Sequence, residues 1–220
     1  LLSRRQRQMC IRDSYTYTGI FLSPDCDLDK DGVYSGSAFV EDDTMYLYYT
    51  GNTMEDGDFD FTYEGRGSNT TLVTSKDGIT ASAKKCLLTS ADYPHTLSCH
   101  VRDPKVFKGN GKYYMVLGAR TRNDVGCVLL YEAEDKEHFR FKQYITSEKP
   151  FGYMWECPDL FRIDGNLFLS ISPQGIAAEE YQYQNVYQSG YYRILGDLED
   201  YTLSPFIEWD MGFDFYAPQS

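Results

Sequence analysis

Three stretches of the chain carry one pattern of apolar and polar positions: SAFVEDDTMYLYYTG (37–51), DPKVFKGNGKYYMVLGA (103–119) and PDLFRIDGNLFLSISPQ (158–174). In each, a short apolar run meets a tight polar turn and resumes as a run rich in Tyr, Leu, Val or Ile, which reads as a β-hairpin. The turns EDDT, KGNG and IDGN supply the Asp, Asn and Gly that hairpin corners require. A second unit follows each hairpin: LVTSKDGITAS (72–82), LLYEAEDKEHFRF (129–141) and YYRILGDLEDYTL (191–203). There a strand runs to an acidic turn and a further strand leaves it. Hairpin, connection, hairpin makes four strands per repeat, at a spacing of roughly 55–70 residues. No window shows a competing amphipathic helical period.

Four strands recurring at that interval predict the blades of a β-propeller. A β-sandwich shares the strand content but does not explain one hairpin pair returning in order. Three copies do not close a ring, which takes about four to eight blades. FYAPQS, at 215–220, follows the start of what reads as the opening strand of another blade. The expected fold is therefore all-β, as part of a propeller.

Composition narrows the class of partner. Hydrophobic residues make up 42% and charged residues 25%, a globular balance. The net charge of −12 argues against a nucleic-acid partner. No apolar run approaches the ~18–20 residues of a membrane helix, so no membrane partner is expected. Aromatics reach 16%, with 20 tyrosines, and such flat faces with polar tips suit strands and sugar binding. Six cysteines, at 10, 26, 86, 99, 127 and 157, form no C-x-x-C pair, and His95, His100 and His138 are scattered. Neither a metal site nor a disulfide framework is predicted, and the cysteines read as free thiols of a reducing cytosol. Asn69-Thr70-Thr71 is a glycosylation sequon with meaning only in a eukaryotic secreted protein. Residues 1–14 stand apart: Arg4, Arg5, Arg7 and Arg12 face the single acid Asp13. This basic segment reads as foreign to the domain of 15–220, with a docking arm as the functional alternative.

In a propeller the innermost strands line a central channel and aim groups at one shared site. The residues opening these strands are Tyr34-Ser35-Gly36-Ser37, Val101-Arg102-Asp103-Pro104, Trp155-Glu156-Cys157-Pro158 and Asp214-Phe215-Tyr216. Carboxylates thus recur at equivalent places in successive blades. Converging acids beside aromatic faces are the equipment of glycoside hydrolysis, although strand-end acids also cap turns. Trp155 is expected to pack against Glu156 and dry its surroundings.

The strings YSGSA (34–38), YTGN (49–52), VRDPKVF (101–107), WECPDLF (155–161) and FDFYAPQ (213–219) resemble glycoside hydrolase family 32. The family comprises invertases, sucrose-6-phosphate hydrolases and fructan hydrolases, and the resemblance runs from about Pro24 to Ser220. SPQG (172–175) and NVYQSGYY (185–192) are most similar to its bacterial, intracellular branch, which implies a cytoplasmic location.

The resemblance implies a five-bladed propeller, here incomplete, with blades II–IV and parts of I and V. It also implies a retaining mechanism on the β-fructofuranosyl bond of sucrose, sucrose 6-phosphate or fructans, with a small carbohydrate as partner and no cofactor. Glu156 matches the general acid/base and Asp103 the carboxylate that stabilises the transition state, with Arg102 beside it. Tyr34 and Ser35 match groups contacting the fructosyl unit, Phe or Trp being commoner at position 34. Cys157 follows the acid and tunes its surroundings. Asp214 and Tyr216 belong either to the pocket rim or to structural packing.

The family's nucleophile sits in an Asn-Asp-Pro-Asn-Gly motif that does not occur in these 220 residues, and Asp13 does not fit it. The chain as given is therefore expected to be inactive by itself. Two other readings stand beside this one: a related five-bladed glycosidase acting on arabinose or xylose glycans, and a non-catalytic sugar-binding propeller. Lys105, Arg120 and Arg122 are candidate cations for a phosphorylated substrate, and spacing alone does not bring them to the pocket.

Overall fold

The computed structural model describes residues 17, 19–213 and 215–220. The basic segment 1–14 and Asp214 lie outside the described residues. Among the described residues thirteen strands form three antiparallel sheets. The first sheet joins β1 (Gly32–Glu41), β2 (Thr44–Met54), β3 (Arg66–Ser75) and β4 (Lys85–Leu88) in chain order. The second joins β5 (Leu97–Gly109), β6 (Lys112–Thr121), β7 (Gly126–Ala133) and β8 (Arg140–Ile145) in the same way. The third runs β9 (Met154–Ile163), β10 (Asn166–Gln174), β11 (Gly190–Gly196) and β12 (Tyr201–Leu203), with β13 (Ile207–Glu208) also paired to β11. Each sheet is one of the predicted repeats, and the quoted hairpins are β1–β2, β5–β6 and β9–β10.

The hairpin corners follow their residues. Asp42-Asp43, Asn110-Gly111 and Asp164-Gly165 all have φ between 49° and 79°. Two successive positive-φ residues make the turn whose twist matches that of the flanking strands. The outer strand of the first sheet begins at Lys85, beyond the 72–82 stretch that predicted it. Asp77 is the reason: its Oδ1 accepts the N–H groups of Ile79 and Thr80 at 2.8 and 2.7 Å, holding the chain in a turn. Segment 213–219, expected to open a further blade, forms no strand over its described residues. Side chains take backbone donors here instead: Ala217 N–H donates to Ser189 Oγ at 3.0 Å, and the following Ser220 N–H to Asp159 Oδ2 at 2.5 Å.

Alternation along the middle sheet explains how the three stack. On β6, Met115 and Leu117 face one core and Val116 the other; on β7, Leu129 and Tyr131 face the first, Val128 and Leu130 the second. The first core lies against Tyr48 and Leu72 of the first sheet, the second against Leu160, Leu169 and Tyr192 of the third. A sheet covered on both faces reads as a continuous apolar run, which is why MVLGA and CVLLY lack alternation. β6 and β9 approach closely at Gly118, where an added Cβ would lie 2.2 Å from the Trp155 carbonyl oxygen. Any larger residue there would push the second and third sheets apart at their inner edge.

Candidate active site

β1, β5 and β9 are the first strands of their sheets, and β5 contacts both of the others. Each breaks register with its partner at the same place. The slip falls between Tyr34 and Gly36 on β1, between Arg102 and Lys105 on β5, and opposite Ser170–Ser172 on β9. The extra residues are Ser35, Asp103-Pro104 and Cys157-Pro158. A bulge tolerates proline, which has no ladder N–H to give, and it turns a side chain out of the pleat. Asp103 (φ 62°), Cys157 (φ 47°) and Ala217 (φ 52°) are all left-handed, and each precedes a proline. Left-handed backbone at a non-glycine costs about 1–3 kcal/mol and gathers where a site needs it.

The bulges bring the sequence-predicted residues together. A cleft of about 580 Å³ is lined by Tyr34, Ser35, Arg102, Asp103, Glu156, Cys157 and Tyr216, with Arg66 among the remainder. Arg102 reaches across to Glu156, its Nη2 2.6 Å and its Nε 3.0 Å from Oε1. The other oxygen, Oε2, accepts Gln174 Nε2 at 2.6 Å and the Tyr216 hydroxyl. Asp103 is buried, and its Oδ2 accepts the Cys157 N–H at 2.9 Å while its own N–H donates to Thr50 Oγ1 at 3.0 Å. Burial pushes the Asp103 carboxyl above the ordinary carboxylate range, opposed by that Cys157 N–H and by Arg102. Burial, and then the charge of Asp103, raise the Cys157 thiol, so it sits 3.5 Å from Oδ2 as a neutral SH rather than a thiolate. Tyr216 is raised too, by burial and by its hydrogen bond to Glu156.

One expectation changes. Trp155 does not cover Glu156: neighbouring strand residues point to opposite faces, and the indole lies fully buried in the second core beside Tyr192. Its Nε1 donates to Phe151 O at 2.7 Å. Asn69 of the sequon lies within β3, and its Nδ2 donates to Leu28 O at 2.8 Å. Among the described residues Asp25, Cys26 and Asp29 lie close enough to suggest a metal, but Lys84 Nζ sits 2.5 Å from Asp25 and 2.6 Å from Asp29. Cys26, Cys86, Cys99, Cys127 and Cys157 are free.

Sequence reasoning overlooked Gln174, Arg66 and Thr50. Gln174 stood inside the SPQG segment, and its place opposite the start of β9 (Gln174 pairs with Met154, Ser172 with Glu156) was the usable signal. Arg66 follows a loop whose length carries no register.

An ion-paired glutamate and a buried aspartate thus meet at the inner edge of stacked antiparallel sheets, and solved structures share this fold. The sucrose-6-phosphate hydrolase of Lactobacillus gasseri superposes with a TM-score of 0.81 at 31% identity, covering 93% of this chain and 42% of that one. A mutant Bombyx mori GH32 beta-fructofuranosidase in complex with sucrose gives 0.71 at 34%, covering 84% and 39%. Residues 13–220 match the glycosyl hydrolases family 32 N-terminal domain, and the chain belongs to that family. The sucrose-6-phosphate hydrolase of Bacillus subtilis (strain 168) is 42% identical over 208 residues, which cover 91% of this chain and 42% of the relative. The chain thus spans about two fifths of the length of such relatives.

Proposed function

We propose that the protein cleaves the β-fructofuranosyl bond of sucrose-like sugars in the bacterial cytoplasm, by a retaining mechanism. Glu156 protonates the departing sugar oxygen and later takes a proton from water. Arg102, Gln174 and Tyr216 hold its two oxygens in place. Asp103, fixed by Thr50 and Cys157, accepts hydrogen bonds from the fructosyl ring as positive charge develops there. Tyr34 and Ser35 line the face that the fructosyl unit meets.

In this reading the ring is five-bladed and these residues supply three of its blades. The attacking carboxylate belongs to an Asn-Asp-Pro-Asn-Gly strand that the 220 residues do not contain, so by themselves they release no fructose. The observation that carries the reading is the pair of left-handed bulges that set Asp103 and Glu156 into one cleft.

The test is Glu156→Gln in the complete natural polypeptide. Fructose release from sucrose falls by about 10²–10⁴-fold while sucrose still binds, because the amide neither gives nor takes the proton. An activated leaving group recovers part of the loss. Undiminished turnover of sucrose removes Glu156 from this role.

A further inference from the structure

The cleft contains a cation that nothing in the proposed chemistry employs. Its two arginines are Arg66 and Arg102. Arg102 is committed, with Nε and Nη2 on Glu156 and Nη1 2.7 Å from His100 Nδ1. Burial, together with the charges of Arg102, Arg66 and Arg120, pulls His100 down to about 4, so the imidazole is neutral and adds no charge of its own. Arg66 stands at the first position of β3 and is half-buried. Its Nε donates to Asn52 Oδ1 at 2.8 Å, and Asn52 is 1% exposed. The guanidinium lies over the Tyr34 ring, 5.5 Å from its centroid. Among the described residues no carboxylate pairs with it: the groups that act on it are Tyr34, Arg102 and Cys99.

Building such a group is costly. A half-buried guanidinium without a counter-ion gives up hydration, and the charge of Arg102 in the same cleft adds repulsion. Asn52 and Tyr34 nevertheless fix its orientation, and among the described residues no protein acceptor occupies the N–H groups of either Nη nitrogen. A planar fork held at one nitrogen and free at two is the arrangement that takes an oxyanion in bidentate fashion. The other candidate cations are engaged elsewhere. Lys105 is held by Asp159 and Ser220, Arg120 by Asp124 and the Tyr153 ring, and Arg122 lines a separate cavity beside His95.

The geometry points to Arg66 as the residue that binds the phosphate of a phosphorylated disaccharide and so sets the preference for phosphorylated over neutral substrate. The inference rests on the fructosidase reading of the same cleft. A phosphate monoester matches the vacant fork, and it supplies the counter-charge that the cleft withholds from Arg66.

The experiment measures kcat/KM for sucrose 6-phosphate and for sucrose in the complete natural polypeptide, as wild type, Arg66→Met and Arg66→Lys. Hydrogen bonds to a charged group are worth enough that the phosphorylated-to-neutral ratio falls about 10–100-fold in Arg66→Met, chiefly through KM. Arg66→Lys, which keeps the charge and loses the fork, falls between. Binding of glucose 6-phosphate, fructose 6-phosphate and inorganic phosphate, followed by calorimetry, gives a readout independent of turnover. The two sugar phosphates report which ring carries the group, and the wild type binds at least one of them more tightly than Arg66→Met does. An unchanged ratio, or equal binding by wild type and Arg66→Met, overturns the assignment. A wild type that hydrolyses neither sugar overturns the fructosidase reading instead, and the calorimetry then still decides whether Arg66 holds phosphate. Should Arg66→Met not fold, the Arg66→Lys ratio and binding decide alone.

Discussion

Asp103 combines three demands at one position. Its backbone is left-handed, its N–H is held by Thr50, and its carboxylate is turned onto the Cys157 N–H of the neighbouring inner strand. An aspartate fixed this firmly loses little on substituting the amide, which can still accept from Cys157 through its oxygen. On the proposed mechanism, what Asp103→Asn removes is negative charge near a centre that becomes positive. The expected result in the complete polypeptide is a fall in kcat of about 10²–10³-fold with KM changed only severalfold, the signature of an interaction made in the transition state. Steady-state kinetics on sucrose checks this, and a change confined to KM would make Asp103 a positioning residue. Asp103 and Glu156 were legible in the sequence because each lies in a short motif at a strand opening. Gln174 was not, since its contact with Glu156 depends on the exact register of β9 and β10 beyond the bulge.

At the scale of the element, the three first hairpins share a corner geometry but not a corner sequence. Asn110-Gly111 and Asp164-Gly165 place glycine at the second left-handed position, where an added Cβ would meet nothing, so conformation alone selects it. The β1–β2 corner has Asp43 there, at φ 55°. Asp43 is exposed, and its substitution removes no core contact. Relief of the left-handed penalty predicts that Asp43→Gly stabilises the protein by about 1 kcal/mol, partly offset by the greater freedom of glycine when unfolded. A rise in the urea midpoint with an unchanged slope is the expected measurement. No gain would mean that the Asp43 side chain stabilises the corner in a way the contacts do not reveal.

Across the whole molecule, Glu41 ties the first sheet to the second. Its oxygens take Lys108 Nζ at 2.6 Å, the Tyr113 hydroxyl at 2.6 Å and Lys136 Nζ at 2.5 Å. Hydrogen bonds from Lys108, then Lys136 and Tyr113, hold its carboxyl at about 2, below the ordinary 4.5. A carboxyl depressed in the folded state adds stability that is complete above its unfolded pKa and is lost as pH falls through the folded one. Wild type should therefore exceed Glu41→Gln by a constant margin at neutral pH. That margin shrinks below about 4.5 and vanishes near 2. Urea unfolding across this range measures it, and a margin that persists at pH 2 would show that Glu41 acts through packing rather than charge.

The sequence determined the strands, the corners, the threefold repeat of a four-stranded unit and the residue types at each inner strand opening. These are local properties: alternation and turn chemistry are written in windows of a few residues, and the motif strings add the pairing of acid with proline. Tertiary structure alone decided which groups meet. It turned Trp155 into the core while Glu156 faced the cleft, left 215–220 without a strand, and set Arg66 beside residues 90 positions further along the chain. Those outcomes depend on bulges and on the stacking of one sheet against the next, where the interactions that choose a conformation come from distant segments and leave no pattern in the neighbouring residues.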